Sequence, residues 1–240
     1  MRIMNIFAEK AGDNYNKKSP TIAFLGDSVT QGCFEVYKKD ESVIETVFDQ
    51  NFAYHSYVAK ILSVLYPSVP VNIINAGISG DNAVHGLSRL QRDVLCHNPD
   101  LVVVCFGLND VCNGLDKIDN YTTALDGIFK ALHERDIEVI FMTHNMMNTY
   151  TSHSITDADI KNIADAAAKR QTNGEVDKYI EAALKVCRDN CVTVCDCYKK
   201  WKKMYKCGVD TTALLANGIN HPSRDLNKLF AISLVETMFN

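Results

Sequence analysis

The chain lacks the long apolar runs, glycine-rich phosphate loops and basic clusters that mark several large functional classes. No apolar stretch approaches the ~20 residues needed to span a bilayer. The opening decapeptide, Met1-Arg2-Ile3-Met4-Asn5-Ile6-Phe7-Ala8-Glu9-Lys10, is too polar for a signal peptide and its apolar part too short. A cytoplasmic location is therefore expected. No Gly-x-Gly-x-x-Gly follows the first apolar run and no Gly-Lys-Ser/Thr occurs, which disfavours a dinucleotide or P-loop site. The Gly-x-Ser-x-Gly elbow is missing too. A net charge of -4 and a pI near 6.0 give no reason to expect a nucleic-acid partner. Lys199, Lys200, Lys202 and Lys203 crowd around Trp201 but read as a solvated helix face.

Metal-binding patterns are equally scarce. The nine cysteines are an odd number in a chain without an export signal, which argues for reduced thiols. Cys187, Cys191, Cys195, Cys197 and Cys207 share one region, yet form no paired Cys-x-x-Cys knuckle. They read as small buried hydrophobes rather than ligands. Neither a metal nor another cofactor is expected.

What is present is an ordinary globular composition. The 240 residues are 47% hydrophobic and 22% charged, enough for one domain with a substantial core. Short Val- and Ile-rich runs at 21–25, 71–75, 101–105, 138–142 and 191–195 mostly lack polar alternation, as strands buried on both faces of a parallel sheet do. Between them, apolar residues recur at helical spacing: Tyr54 to Leu65, Val84 to Leu95 with Asp81 or Asn82 as cap, and Tyr121 to His133. The stretch 157–190 reads as helical with a break at Asn173-Gly174, and a last helix follows Pro222 with Ser223 as cap. The alternation predicts an α/β fold, a doubly wound three-layer α/β/α domain. Residues 1–20 read as a loose lead-in and 21–240 as one domain. The stretches 31–51 and 143–156 read as long connections of the kind that carry function. The second holds His144 and His153, and its run Asn145-Met146-Met147-Asn148-Thr149-Tyr150 could wall a pocket.

Polar residues gather where strands end. Gly26-Asp27-Ser28 follows the first strand, Asn75-Ala76-Gly77-Ile78-Ser79-Gly80-Asp81-Asn82 the second, and Gly107-Leu108-Asn109-Asp110 the third. Parallel strands bring all three to one sheet edge, where open α/β sheets bind ligands. Near the C-terminus stands Asn217-Gly218-Ile219-Asn220-His221-Pro222. These groups suit acyl transfer. Ser28 is a candidate nucleophile that needs a base, and His221, with a side chain that titrates near neutrality, is that candidate. The backbone N–H of Gly80, the amide of Asn109 and the N–H of Ser28 are candidate donors to an oxyanion. Asp27 is expected to hold Ser28 in place, and Asn75 and Asn82 to tie the loops together.

In order and spacing these four segments resemble the four blocks of the SGNH hydrolases, also called GDSL esterases/lipases. Gly26-Asp27-Ser28 resembles the nucleophile block, Ser79-Gly80-Asp81 the oxyanion-glycine block, Gly107-Leu108-Asn109-Asp110 the oxyanion-asparagine block, and His221-Pro222 the base block. The resemblance runs from about residue 20 to the end. It implies a flavodoxin-like sheet of about five parallel strands and hydrolysis of small carboxylic esters without a cofactor, the partner being a small-molecule acyl ester such as an acetylated sugar or short-chain ester. One departure stands out. The family usually carries an Asp three residues before the His, where this chain has Gly218. The expected orienter of His221 is then uncharged: the Asn217 side chain or a backbone carbonyl near Gly218, with Asp210 or Asp225 as acidic alternatives. Two other functions compete. One is a metal-dependent phosphoesterase with Asp27, Asn109, Asp110 and His221 as ligands. The other is a ligand-binding module that kept the fold and lost the chemistry.

Overall fold

In the computed structural model, which describes residues 1–41 and 43–240, the elements follow in the order α1 (Arg2–Gly12), β1 (Thr21–Gly26), α2 (Ser28–Gln31), β2 (Cys33–Lys38), β3 (Ile44–Phe48), α3 (Tyr54–Leu65), β4 (Asn72–Gly77), α4 (Ala83–Asp93), β5 (Leu101–Cys105), α5 (Ile118–His133), β6 (Glu138–Met142), α6 (Ala158–Thr172), α7 (Glu175–Asp189), β7 (Thr193–Cys195), α8 (Cys197–Lys206) and α9 (Arg224–Met238). The five strands β4-β1-β5-β6-β7, in that spatial order, form an all-parallel sheet. Helices α3 and α9 pack together, and α4, α5 and α7 pack in sequence, giving the three-layer, flavodoxin-like arrangement expected. Strand β5 is wholly buried, and so is β1 beyond Thr21. Their continuous apolar runs are what a strand covered on both faces requires. The order reverses between β1 and β5, and the crevice beyond their carboxyl ends is the switch point at which such sheets bind ligands.

Two stretches depart from expectation. Residues 1–20 are not simply a loose lead-in, because Arg2–Gly12 is a helix with Ile3 and Phe7 fully buried. Its cap is supplied from a distance: the two Glu138 carboxylate oxygens accept the backbone N–H groups of Arg2 and Ile3, each at 2.8 Å. The long connection at 31–51 contains the antiparallel hairpin β2–β3. In contrast, residues 143–156 are free of helix and strand, as expected. All nine cysteines are free thiols, with Cys187, Cys195 and Cys197 buried and Cys191 and Cys207 exposed. Trp201 is buried at the centre of α8, while Lys199 and Lys203 are exposed. No helix among the described residues is long and apolar enough to cross a membrane.

Candidate active site

Strand β1 ends at Gly26, and Asp27 opens the short helix α2. The Asp27 side chain accepts from the Val29 N–H at 3.0 Å, so Ser28 sits on a capped turn. The turn closes at Gly32, whose left-handed φ of 95° a glycine adopts without strain. The close seat of this turn explains two other glycines. A Cβ at Gly26 would lie 2.1 Å from Thr30 Oγ1, and one at Gly77 2.2 Å from the Gln31 nitrogen.

Ser28 and His221, 193 residues apart in the chain, meet with Oγ 3.0 Å from Nε2. Both are buried. The other ring nitrogen, Nδ1, lies 2.8 Å from the backbone oxygen of Phe34. A carbonyl only accepts, so Nδ1 carries the hydrogen and Nε2 presents its lone pair to the serine hydroxyl. Phe34 is free to serve because the β2–β3 register shifts between Cys33 and Val36. A bulge of this kind removes a carbonyl from the ladder and re-aims it. Arg224 braces the same spot: it pairs with Glu35 at 2.5 Å and lies over the Phe34 ring at 4.3 Å. Burial lowers the His221 pKa below its ordinary 6.5, opposed by the Phe34 hydrogen bond and the Glu35 charge.

The orienter is thus uncharged, but it is not Asn217. Asn217 Oδ1 accepts the backbone N–H groups of Ile219, Asn220 and His221 at 2.9–3.0 Å, which folds the loop that delivers the histidine. A side chain spent on its own loop has nothing left for the ring. Asp225 pairs with Lys228 and Asp210 accepts from the Tyr150 hydroxyl, so neither acid reaches the imidazole. Asn145 and Asn148 strap the histidine loop to the segment after β6, through the Asn220 and Ile219 carbonyls.

Two of the oxyanion candidates, Gly80 and Asn109, sit on the loops after β4 and β5. Gly80 has a left-handed φ of 78° and open space where a Cβ would stand. The Asn109 amide donates one hydrogen to the Asp81 carbonyl at 2.8 Å and keeps a second. Asn75 ties the loops, donating to the Gln31 carbonyl and accepting from the Gly77 N–H, while Asn82 caps α4. Asp110 Oδ1 accepts the Ala83 N–H. Asp27 and Asp110 are buried carboxylates, each with its Oδ2 unpartnered among the described residues. Burial raises Asp27 to about 7 and Asp110 to about 6. His144 is buried with Nδ1 at the Asn145 oxygen, and burial drives its pKa down to about 4. His153 is exposed. Met146 and Met147 are buried core residues, and Met146 with Thr149 borders a pocket beside Gln171 and Tyr205 that includes neither Ser28 nor His221. Among the described residues, no three His, Cys, Asp or Glu side chains converge as a metal set.

Three groups escaped the sequence reading. The Phe34 carbonyl carries no side-chain identity to read. Gln31 receives the Ser79 N–H at 2.7 Å and latches the loop of Gly80 to the Ser28 turn. Buried Arg89 donates to the Gly26 and Ala76 carbonyls at 3.0 and 2.7 Å and pairs with Asp81 at 2.6 Å, joining the ends of β1 and β4. Its reach to two strand ends leaves no local sequence signal.

Comparison with known proteins bears on the fold and the family. An acetylxylan esterase of Geobacillus stearothermophilus is 30% identical over 95 residues, which is 40% of this chain and 42% of that protein. The match therefore spans less than half of that relative's length. Among solved structures, a variant of an acetyl-xylooligosaccharide esterase from the same organism aligns with a TM-score of 0.67 at 21% identity, covering 91% of this chain and 94% of the other. A two-domain esterase active on acetylated mannans aligns with a TM-score of 0.67 at 17% identity, covering 99% of this chain and 52% of that one. At these identities the two structures speak for the fold. The model of the GDSL-like lipase/acylhydrolase family matches residues 24–229, and the chain belongs to that family.

Proposed function

We propose that this protein is a serine hydrolase that cleaves small carboxylic esters, an acetylated sugar or a short-chain acyl ester, through Ser28 and His221. The observation that carries the reading is the 3.0 Å contact between Ser28 Oγ and His221 Nε2, with Nδ1 held by the Phe34 carbonyl. In the proposed reaction His221 takes the hydroxyl proton as Ser28 attacks the ester carbonyl. The oxyanion receives hydrogen bonds from the N–H groups of Gly80 and Ser28 and from the free Asn109 hydrogen. His221 then protonates the leaving alcohol, and water, activated by the same imidazole, releases the acyl group from Ser28.

A carbonyl in the third place fixes the tautomer as a carboxylate would, but offers a dipole instead of a charge to the imidazolium. Glu35 supplies part of that charge from one residue away, since its carboxylate raises the His221 pKa. The test is turnover of 4-nitrophenyl acetate by the wild type and by Ser28→Ala. Loss of turnover in the variant supports the reading, and equal rates overturn it.

A further inference from the structure

Gly80 stands on a turn that packing does not hold, since Ile78, Ser79 and Gly80 are all exposed. The Ile78 N–H donates to the Gly26 carbonyl at 3.1 Å, and the Asp81 N–H closes the turn on the Ile78 carbonyl at 3.2 Å. Gly80 has a φ of 78° and the φ of Ser79 is not positive, which together define a type II turn. Among the described residues, no hydrogen bond engages the Gly80 N–H. This donor is free for an oxyanion, but its place depends on what holds the middle of the turn.

That hold comes from the far end of α2. The Ser79 N–H donates to Gln31 Oε1 at 2.7 Å. The Ser79 side chain also meets the Cys33 thiol, a weaker partner. Gln31 is itself firmly seated. Its N–H donates to the Asp27 carbonyl at 2.9 Å, its own carbonyl accepts from the Asn75 amide at 3.3 Å, and its backbone fills the space that a Cβ at Gly77 would need. Helix α2 thus carries the Ser28 N–H at its first residue and, at its last, the side chain that holds the Gly80 turn. The third candidate donor, Asn109, is tied to the Asp81 carbonyl instead.

Resting on the proposed reaction at Ser28, we infer that Gln31 is a positioning residue, which spaces the Gly80 N–H from the Ser28 N–H so that both reach the same oxyanion. Losing such a donor outright typically costs about 10²–10³ in rate, and misplacing a group by about 1 Å can cost about 10²-fold. A turn released at Ser79 but still pinned at Ile78 and Asp81 keeps its donor and loses its place. The loss falls on kcat more than on KM, because the donor meets charge that develops in the transition state.

The test compares the wild type with Gln31→Met, which keeps the length of the side chain and removes its acceptor, and with Gln31→Ala. Three quantities are measured: kcat and KM for 4-nitrophenyl acetate, inhibition by phenylboronic acid, whose tetrahedral adduct on Ser28 fills the oxyanion site, and amide hydrogen exchange. In both variants kcat is expected to fall about tenfold or more with KM within about twofold. Boronate affinity should fall in parallel, and exchange should accelerate at Ser79 but not at Val103 of β5. Added to Gly80→Ala, which disfavours the same turn, Gln31→Met should cost less than about threefold further. Wild-type kcat in both variants, unchanged boronate affinity, unchanged exchange at Ser79, an undiminished further loss on Gly80→Ala, or a rate loss accompanied by faster exchange across the sheet overturns the inference. A wild type that does not turn over 4-nitrophenyl acetate overturns the proposed reaction instead, and exchange at Ser79 then decides alone whether Gln31 holds the turn.

Discussion

Replacing Asp27 by Asn separates what this residue does by shape from what its charge costs. The side chain is 1% exposed, one oxygen accepts the Val29 N–H, and the other has no partner among the described residues. Burial lifts its pKa from 3.8 to about 7. At about 1.36 kcal/mol per pH unit, the ionised form is roughly 4 kcal/mol less favourable in the folded than in the unfolded chain. The folded pKa lies above the unfolded one, so folding takes up a proton between pH 3.8 and about 7. The contribution of Asp27 to stability is therefore complete below pH 3.8, is lost as pH rises through about 7, and levels off beyond. Asparagine keeps the acceptor for Val29 and never ionises. Urea unfolding of wild type and Asp27→Asn should show the two within about 1 kcal/mol of each other near pH 4. At pH 8 the variant should be the more stable by a few kcal/mol, with equal slopes against urea. A stability difference that does not change between those two pH values would refute the reasoning, because it would mean that Asp27 ionises in the fold at no cost.

Three other outcomes follow from the same geometry. Because burial holds the His221 pKa low, the acid limb of kcat/KM should lie below pH 6.5; Glu35→Gln, which removes a charge that raises this pKa, should move the limb to still lower pH in a pH–rate profile. Arg89→Met leaves Asp81 buried without its guanidinium and removes one donor from each of two strand-end carbonyls, and should cost ~3–5 kcal/mol in urea unfolding. Gly77→Ala drives a methyl into the backbone of Gln31 and Thr30, and should destabilise by ~1–3 kcal/mol while lowering kcat for 4-nitrophenyl acetate more than it changes KM.

The parts of this molecule that could be read from sequence are those that act locally. Strand β5 is Val-Val-Val between Leu101 and Cys105, and its burial on both faces leaves no polar alternation to confuse the reading. Helix α4 begins where Asn82 caps it, as its sequence indicates. The Ser28, Gly80 and Asn109 segments stood out as short polar breaks at the ends of apolar runs, and the His221 segment through its resemblance to the family's base block. What stayed hidden depends on partners far along the chain. Helix α1 has no cap of its own, and Glu138 provides one. The hairpin β2–β3 is largely half-exposed, so it lacks the dense apolar run that marks the central strands. The orienter of His221 is a backbone carbonyl released by a bulge, and every residue owns a carbonyl. Gly218 announced that a carboxylate was missing, but only the fold brings Phe34 to the place left for it.

The central claim is that Ser28 is a nucleophile activated by His221. The most direct measurement is reaction with a fluorophosphonate followed by peptide mass mapping in wild type, Ser28→Ala and His221→Ala. One adduct on Ser28 is expected in the wild type, none in Ser28→Ala and strongly slowed labelling in His221→Ala. Labelling at another residue, or labelling of Ser28 at the wild-type rate without the imidazole, would contradict it.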